Sequence, residues 1–333
     1  MNNTIKVGFL VSAACLVHLV MPASGGQSNA TLSGPVLGYV FNVSEGKLRP
    51  LRGVAGNATI GDPEPFDFSI SQSLMLDARH AVVSTDANPE LLAVGMESHP
   101  GSVAAIRNAP SGPTRAIGSV HGSAAAFYYA GSQRMVIVTG LPGNPVVSQS
   151  VDLSALNPPT LTHVAVSDDG GLLVYSVAET DRESLYVWTP SAASSRFVFS
   201  VTAVGGIAIA GNGTTFVTDR GANEVFAIWD ARNAVVSQYL LGERDGVSRP
   251  AAIAISKDNS IYIANTGSAT VMTLDISGHL QRTLQCDCRL SGLYPLRDSV
   301  FLLTDRLDQT IYLLAMNLNG DQISFVPAMS ANP

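Results

Sequence analysis

Along most of its length the chain repeats one short pattern: two or three apolar residues, then Thr, Ser or Ala, then Asp or a near equivalent. Copies stand at Val82-Val83-Ser84-Thr85-Asp86, Val136-Ile137-Val138-Thr139-Gly140, Leu173-Val174-Tyr175-Ser176-Val177, Thr215-Phe216-Val217-Thr218-Asp219, Ile261-Tyr262-Ile263-Ala264-Asn265 and Phe301-Leu302-Leu303-Thr304-Asp305. Short apolar runs of this kind, bounded by turn residues, are the mark of strands buried on both faces. Their spacing, mostly of about 40 residues, is the period at which a four-stranded sheet repeats around a β-propeller.

The clearest repeat covers 251–285. Ala252 to Ser256 forms a first strand, Lys257-Asp258-Asn259 a turn, Ser260 to Asn265 a second strand, Thr270 to Ile276 a third, and Leu280 to Gln285 a fourth after Ser277-Gly278. The same order recurs over 161–201, 206–241 and 290–326, and more loosely over 66–115 and 116–160, where Leu141-Pro142-Gly143-Asn144-Pro145 and Asn157-Pro158-Pro159 are insertions. Upstream of these six full repeats, Tyr39 to Leu51 matches the outer hairpin Met272 to Leu284 with one insertion. The expectation is therefore an all-β chain: a β-propeller of six or seven four-stranded blades, its ring closed by the two chain ends mixing in one sheet. Closure of that kind removes exposed edges.

Composition narrows the function classes. Of the 333 residues, 46% are apolar and 14% charged, with a net charge of -7 and a mean hydropathy of +0.23. That is ample material for buried strands and carries no signature of disorder. The 19 Lys and Arg are scattered, so the basic stripe that nucleic-acid binding requires is missing.

Lys6, an apolar run from Val7 to Val20 and the small residues before a cut after Gly25 predict a secretory signal over 1–25. The run is shorter than the roughly 20 residues needed to span a bilayer. Ser12-Ala13-Ala14-Cys15 loosely resembles a bacterial lipobox, but Leu is absent at the third position before Cys15 and the apolar run continues beyond it, which speaks against lipidation. The expected mature protein is a single domain over 26–333, secreted or periplasmic, monomeric and without a transmembrane segment. Cys286 and Cys288 then remain, flanking Asp287. In an oxidising compartment they form either a disulfide across one residue or two half-buried thiols.

Ile261 to Gly267, preceded by Ser256-Lys257-Asp258-Asn259, resembles the NHL and YVTN classes of propeller repeat, and Val217 to Asn223 and Leu303 to Arg306 are similar. The resemblance covers roughly 66–329 and implies the fold. It implies no single function, because binding scaffolds, lyases and lactonases share the repeat. The lone Trp229-Asp230 lacks the regularity of WD repeats.

Asp86, Asp219, Asn265 and Asp305 occupy one register of the pattern. Propeller lactonases hold Ca²⁺ with carboxylates and an Asn on the channel face, so the resemblance makes Asp219, Asn265 and Asp305 a candidate Ca²⁺ site. The competing role is structural: Asp and Asn at a strand end accept N–H groups of the following turn. The turn acids Asp168, Asp169, Asp258 and Asp298 read as turn formers. His80, His99, His121, His163 and His279 are dispersed, and His163 sits in a first strand, where it either faces the channel or fills a core or turn position. No nucleophile elbow, zinc-binding helix or phosphate-cradling loop occurs.

The function expected on these grounds is a secreted, non-catalytic propeller scaffold presenting loops to a protein or carbohydrate. The alternative is a metal-dependent hydrolase, lactonase or lyase with its site in the central channel. The export expectation has a direct check: intact mass of protein from its native host should correspond to a chain beginning near Gly26. Retention of Met1, or an acylated Cys15 at the start, overturns it.

Overall fold

The computed structural model describes residues 34–97, 101–156, 160–192, 194–297, 299–304, 310–315 and 320–328. The strands fall into seven antiparallel sheets in chain order, over 36–60, 72–110, 115–152, 160–201, 204–241, 250–285 and 294–326. Six sheets have four strands, and the first has three. First strands of neighbouring sheets touch one another, as Thr160–Val166 touches Val204–Ile209 and Val204–Ile209 touches Pro250–Ile255. They therefore surround a common axis, and the sheets are the blades of a seven-bladed propeller.

Each sheet buries both faces, which is why its second strand is apolar at successive positions. Leu173 to Val177, Thr215 to Asp219 and Ile261 to Asn265 are buried throughout. Their side chains alternate between two cores, one toward each neighbouring blade. Tyr175 lies in the cluster between blades 3 and 4, whereas Val174 lies in the cluster between blades 4 and 5. Seven such clusters, each shared by two blades, run around the ring. The cluster that closes it joins Leu37, Val40, Leu51 and Ala58 of blade 1 to Leu296, Leu302, Ile311, Leu313 and Val326 of blade 7.

The chain ends thus close the ring, but not by sharing a sheet. Val36–Asn42, Lys47–Val54 and Asn57–Ile60 form blade 1 alone, and Gln322–Val326 completes blade 7. The hairpin resembling an outer one is in fact the inner pair. A Cβ at Gly38 would stand 3.0 Å from the Leu296 carbonyl oxygen, so glycine lets the first strand lie against its counterpart in blade 7. The repeat over 116–160 also shifts: Arg134–Thr139 is the third strand of its blade, and Ala124–Tyr129 is the second. Both are buried, so the apolar pattern marks either.

Tight approach is sharpest between blades 5 and 6. A Cβ at Gly205 would meet the Pro250 carbonyl oxygen at 1.9 Å and Thr218 Oγ1 at 2.8 Å. A bidentate contact also straps blade 4 to blade 5, where Arg232 Nη2 donates to both oxygens of Asp169 at 2.8 Å. Burial pushes the Asp169 carboxyl up, but bonds from Ser167, Arg232 and the Gly171 N–H outweigh it and hold it at about 2.

Gly205→Ala must force the two inner strands apart and should cost at least about 2 kcal/mol. Gly131→Ala, with nothing within 4 Å of its Cβ, should stay within about 0.5 kcal/mol of the parent. Urea unfolding of the two variants checks the contrast.

Candidate functional site

The described members of the shared register sit at or just beyond the ends of second strands in different blades. Asp219 pairs with Val204 and Asn265 with Pro250, each beside a one-residue irregularity in the first strand. Asp86 lies beyond the strand His80–Ser84 and is exposed. Asp305 lies outside the described residues, as does His99.

Asp219 accepts four backbone N–H groups. Oδ2 accepts the Thr202 N–H at 2.8 Å, and Oδ1 accepts those of Ala203, Gly221 and Ala222 at 3.1, 2.8 and 3.1 Å. Three amides share Oδ1, which offers about two lone-pair sites, and one amide takes Oδ2. The residue is only 3% exposed. Asn265 repeats the device: Oδ1 accepts the Ser248 N–H at 3.2 Å, and Nδ2 donates to Thr270 Oγ1 at 3.3 Å. In both blades the acceptor ties down the linker that arrives from the preceding blade.

The turn after Arg115–Gly118 sends Val120 against the cluster of Ala208, Ala210, Ile253 and Ile255, in blades 5 and 6. His121 follows, with its N–H and Nδ1 at 2.9 and 2.7 Å from the Asp168 carboxylate. Burial works against ionisation of Asp168, yet the His121 contacts and a bond from Ser119 outweigh it and leave its carboxyl below the usual range. The tip of this turn thus reaches from blade 3 to blades 4, 5 and 6.

Near the start of the first strand of blade 4 lies a polar cluster that sequence reasoning located only in part. The Thr162 hydroxyl donates to Glu183 and lies 2.6 Å from Ser176 Oγ, which accepts the His163 N–H at 3.1 Å. His163 Nδ1 stands 3.9 Å from Glu183 Oε2, and its ring is 34% exposed. That separation is too long for a hydrogen bond. Burial pushes the Glu183 carboxyl up, but His163 and Thr162 outweigh it and hold it lower than usual. Glu183 was hidden in the polar run Glu179-Thr180-Asp181-Arg182-Glu183, which reads as a solvated turn; only the irregularity between Leu161 and His163 aims Thr162 at it. Chemically this is one carboxylate beside one imidazole, able to hold a proton or a polar ligand group.

The sulfurs of Cys286 and Cys288 are joined, in the linker between blades 6 and 7. Cys286 is buried against Leu290 and Leu293, with its N–H on the Ala269 carbonyl at 2.8 Å. A loop with a sequence separation of 2 constrains the unfolded chain little, by at most about 2 kcal/mol.

No protein-family model and no curated protein matches the chain. Solved structures do. A functionally unknown protein from Desulfotomaculum acetoxidans aligns with a TM-score of 0.55 at 14% identity, over 88% of this chain and 96% of that one. A candidate 6-phosphogluconolactonase from Bacteroides uniformis aligns at 0.55 and 13% identity, over 86% and 93%. Virginiamycin B lyase from Staphylococcus aureus aligns at 0.51 and 11%, over 75% and 81%. Likeness at these identities is one of fold. With the seven closed cores, it places the chain among the seven-bladed β-propellers.

The Glu183 carboxyl is held below its ordinary value, so its stabilising contribution is complete above a pH of about 4.3 and is lost as pH falls below it. The melting-temperature gap between the parent and Glu183→Gln should therefore be open at neutral pH and close in acid. A gap independent of pH would refute the assignment.

Proposed function

We propose that this propeller is a non-catalytic scaffold of the periplasm or cell exterior, presenting its loops and blade rims to a protein or carbohydrate ligand. The observation that carries the reading is the engagement of Asp219: four backbone N–H groups already bond the carboxylate that a cation would need, three of them on Oδ1. Asn265 spends its amide in the same way. Hard cations require several free oxygen ligands, and these residues work instead as clamps on the interblade linkers.

A second reading has one observation in its favour. His163 on the first strand of blade 4 faces Glu183 at the start of the third, and lyase and lactonase propellers share the fold. Under that reading His163 serves as the base and Glu183 supports its charged form.

Ca²⁺ titration with thermal unfolding separates the two. A cation bound only by the folded state adds about 2.7 kcal/mol at a hundredfold excess over Kd. The scaffold reading expects no shift in melting temperature on adding Ca²⁺ or a chelator. It also expects Asp219→Ala to cost about 1–3 kcal/mol through amides left without an acceptor, equally with and without metal. Ca²⁺-dependent stabilisation abolished by Asp219→Ala, or lactone turnover abolished by His163→Gln, overturns it in favour of the enzyme.

A further inference from the structure

A groove of about 420 Å³ separates the rims of blades 2 and 3. Ala104, Ala105 and Arg107 line one side and Pro145, Val146 and Val147 the other. Its walls are the outermost strands of their sheets, Ser102–Pro110 and Val146–Asp152, so each presents a backbone edge without a strand partner in its own sheet. Exposed edges are ordinarily guarded by charges or proline along the strand. Here Arg107 is the only charge between Ser102 and Pro110, and Asp152 stands at the far end of the second strand. Val103 and Val146 are 44% and 56% exposed. The edge over 102–105 is thus unguarded, whereas Arg107 and Pro110 protect the remainder of that strand.

Arg107 is held in place by the residues around it. Ala105 pairs with Leu92 and Pro110 with Glu90, so the chain bulges over 106–109. Ile106 and Ala109 are buried in the core between blades 2 and 3, on either side of the outward-facing Arg107 and Asn108. Asn108 takes a positive φ of 64°, and its N–H donates to Glu90 Oε1 at 2.8 Å. That bond occupies the acid paired nearest in the ladder. Among the described residues no carboxylate lies within ion-pair distance of the Arg107 guanidinium, which stays exposed at the groove.

We propose that this groove binds an extended acidic peptide by strand addition. The peptide backbone pairs with the free edge of Ser102–Pro110, alternate apolar side chains seat against Pro145, Val146 and Val147, and one carboxylate pairs with Arg107. Main-chain bonds supply affinity in this mode and the side-chain pockets supply choice, while the guanidinium fork suits a carboxylate. The lining contains no aromatic ring, the platform on which a sugar face would stack, so a peptide fits it better than a carbohydrate. The inference rests on the scaffold reading and names its partner class.

The test uses the full chain and two fluorescent hexapeptides of alternating valine and threonine, one carrying a single glutamate and the other glutamine in its place. Anisotropy titrations should show the glutamate peptide binding about tenfold more tightly, the scale of one charge-assisted contact. Arg107→Gln should erase that preference, and Val146→Asp should weaken both peptides about tenfold, with the melting temperature of each variant unchanged. Titrations identical in parent, Arg107→Gln and Val146→Asp overturn the groove. So does binding of neither peptide by a protein that binds a glycan array, and in both cases the scaffold reading survives. Failure of the scaffold reading registers separately, as metal-dependent stabilisation or His163-dependent turnover.

Discussion

Everything in this molecule depends on apolar sheet faces that no blade can cover by itself. A four-stranded blade with both faces apolar is insoluble alone, and its neighbour covers only one of them. The demand passes from blade to blade until Leu296, Leu302 and Leu313 meet Leu37, Val40 and Leu51 and the ring has no uncovered face left. Closure is thus the condition under which any blade is stable. The low proportion of charged residues follows, because most strand positions face a core.

Polar groups then serve the seams. Asp219 and Asn265 gather the amides of the arriving linkers, and Arg232 and Asp169 join neighbouring turns. The linkers carry backbone groups past buried apolar faces, where an unpaired N–H would cost roughly 1–3 kcal/mol. Side chains that look like a ligand ring are, on this view, the repeat's answer to its own joints. The rim and the single imidazole of blade 4 lie where the repeat makes no such demand.

How far the chain foretold this differs from place to place. Second strands such as Ile261–Asn265 are legible because burial on both faces leaves an unbroken apolar run. Blade 3 misleads because its second strand begins with Ala124-Ala125-Ala126, whose small side chains carry little strand signal, while Val136-Ile137-Val138 in the third carries a strong one. Blade 1 misleads because inner position here depends on the fit of Gly38 against Leu296, a contact between opposite ends of the chain. The Thr162–Glu183 contact depends on one ladder irregularity, and the groove on two strands from different repeats. Neither leaves a local pattern to read.

The seam between blades 1 and 7 has a topological consequence. Each described strand belongs to the sheet of its chain neighbours, so among the described residues no sheet is assembled from distant segments. A circular permutant opened at any interblade linker, with the ends of the propeller joined, would preserve every hydrogen-bonded ladder and every facing pair of blades. In a ring stitched through a shared sheet, one position of the break is privileged, since it alone makes the ladder a latch. Here the seven joints are alike in kind, and the order of blades along the chain is a cyclic order with an arbitrary starting point.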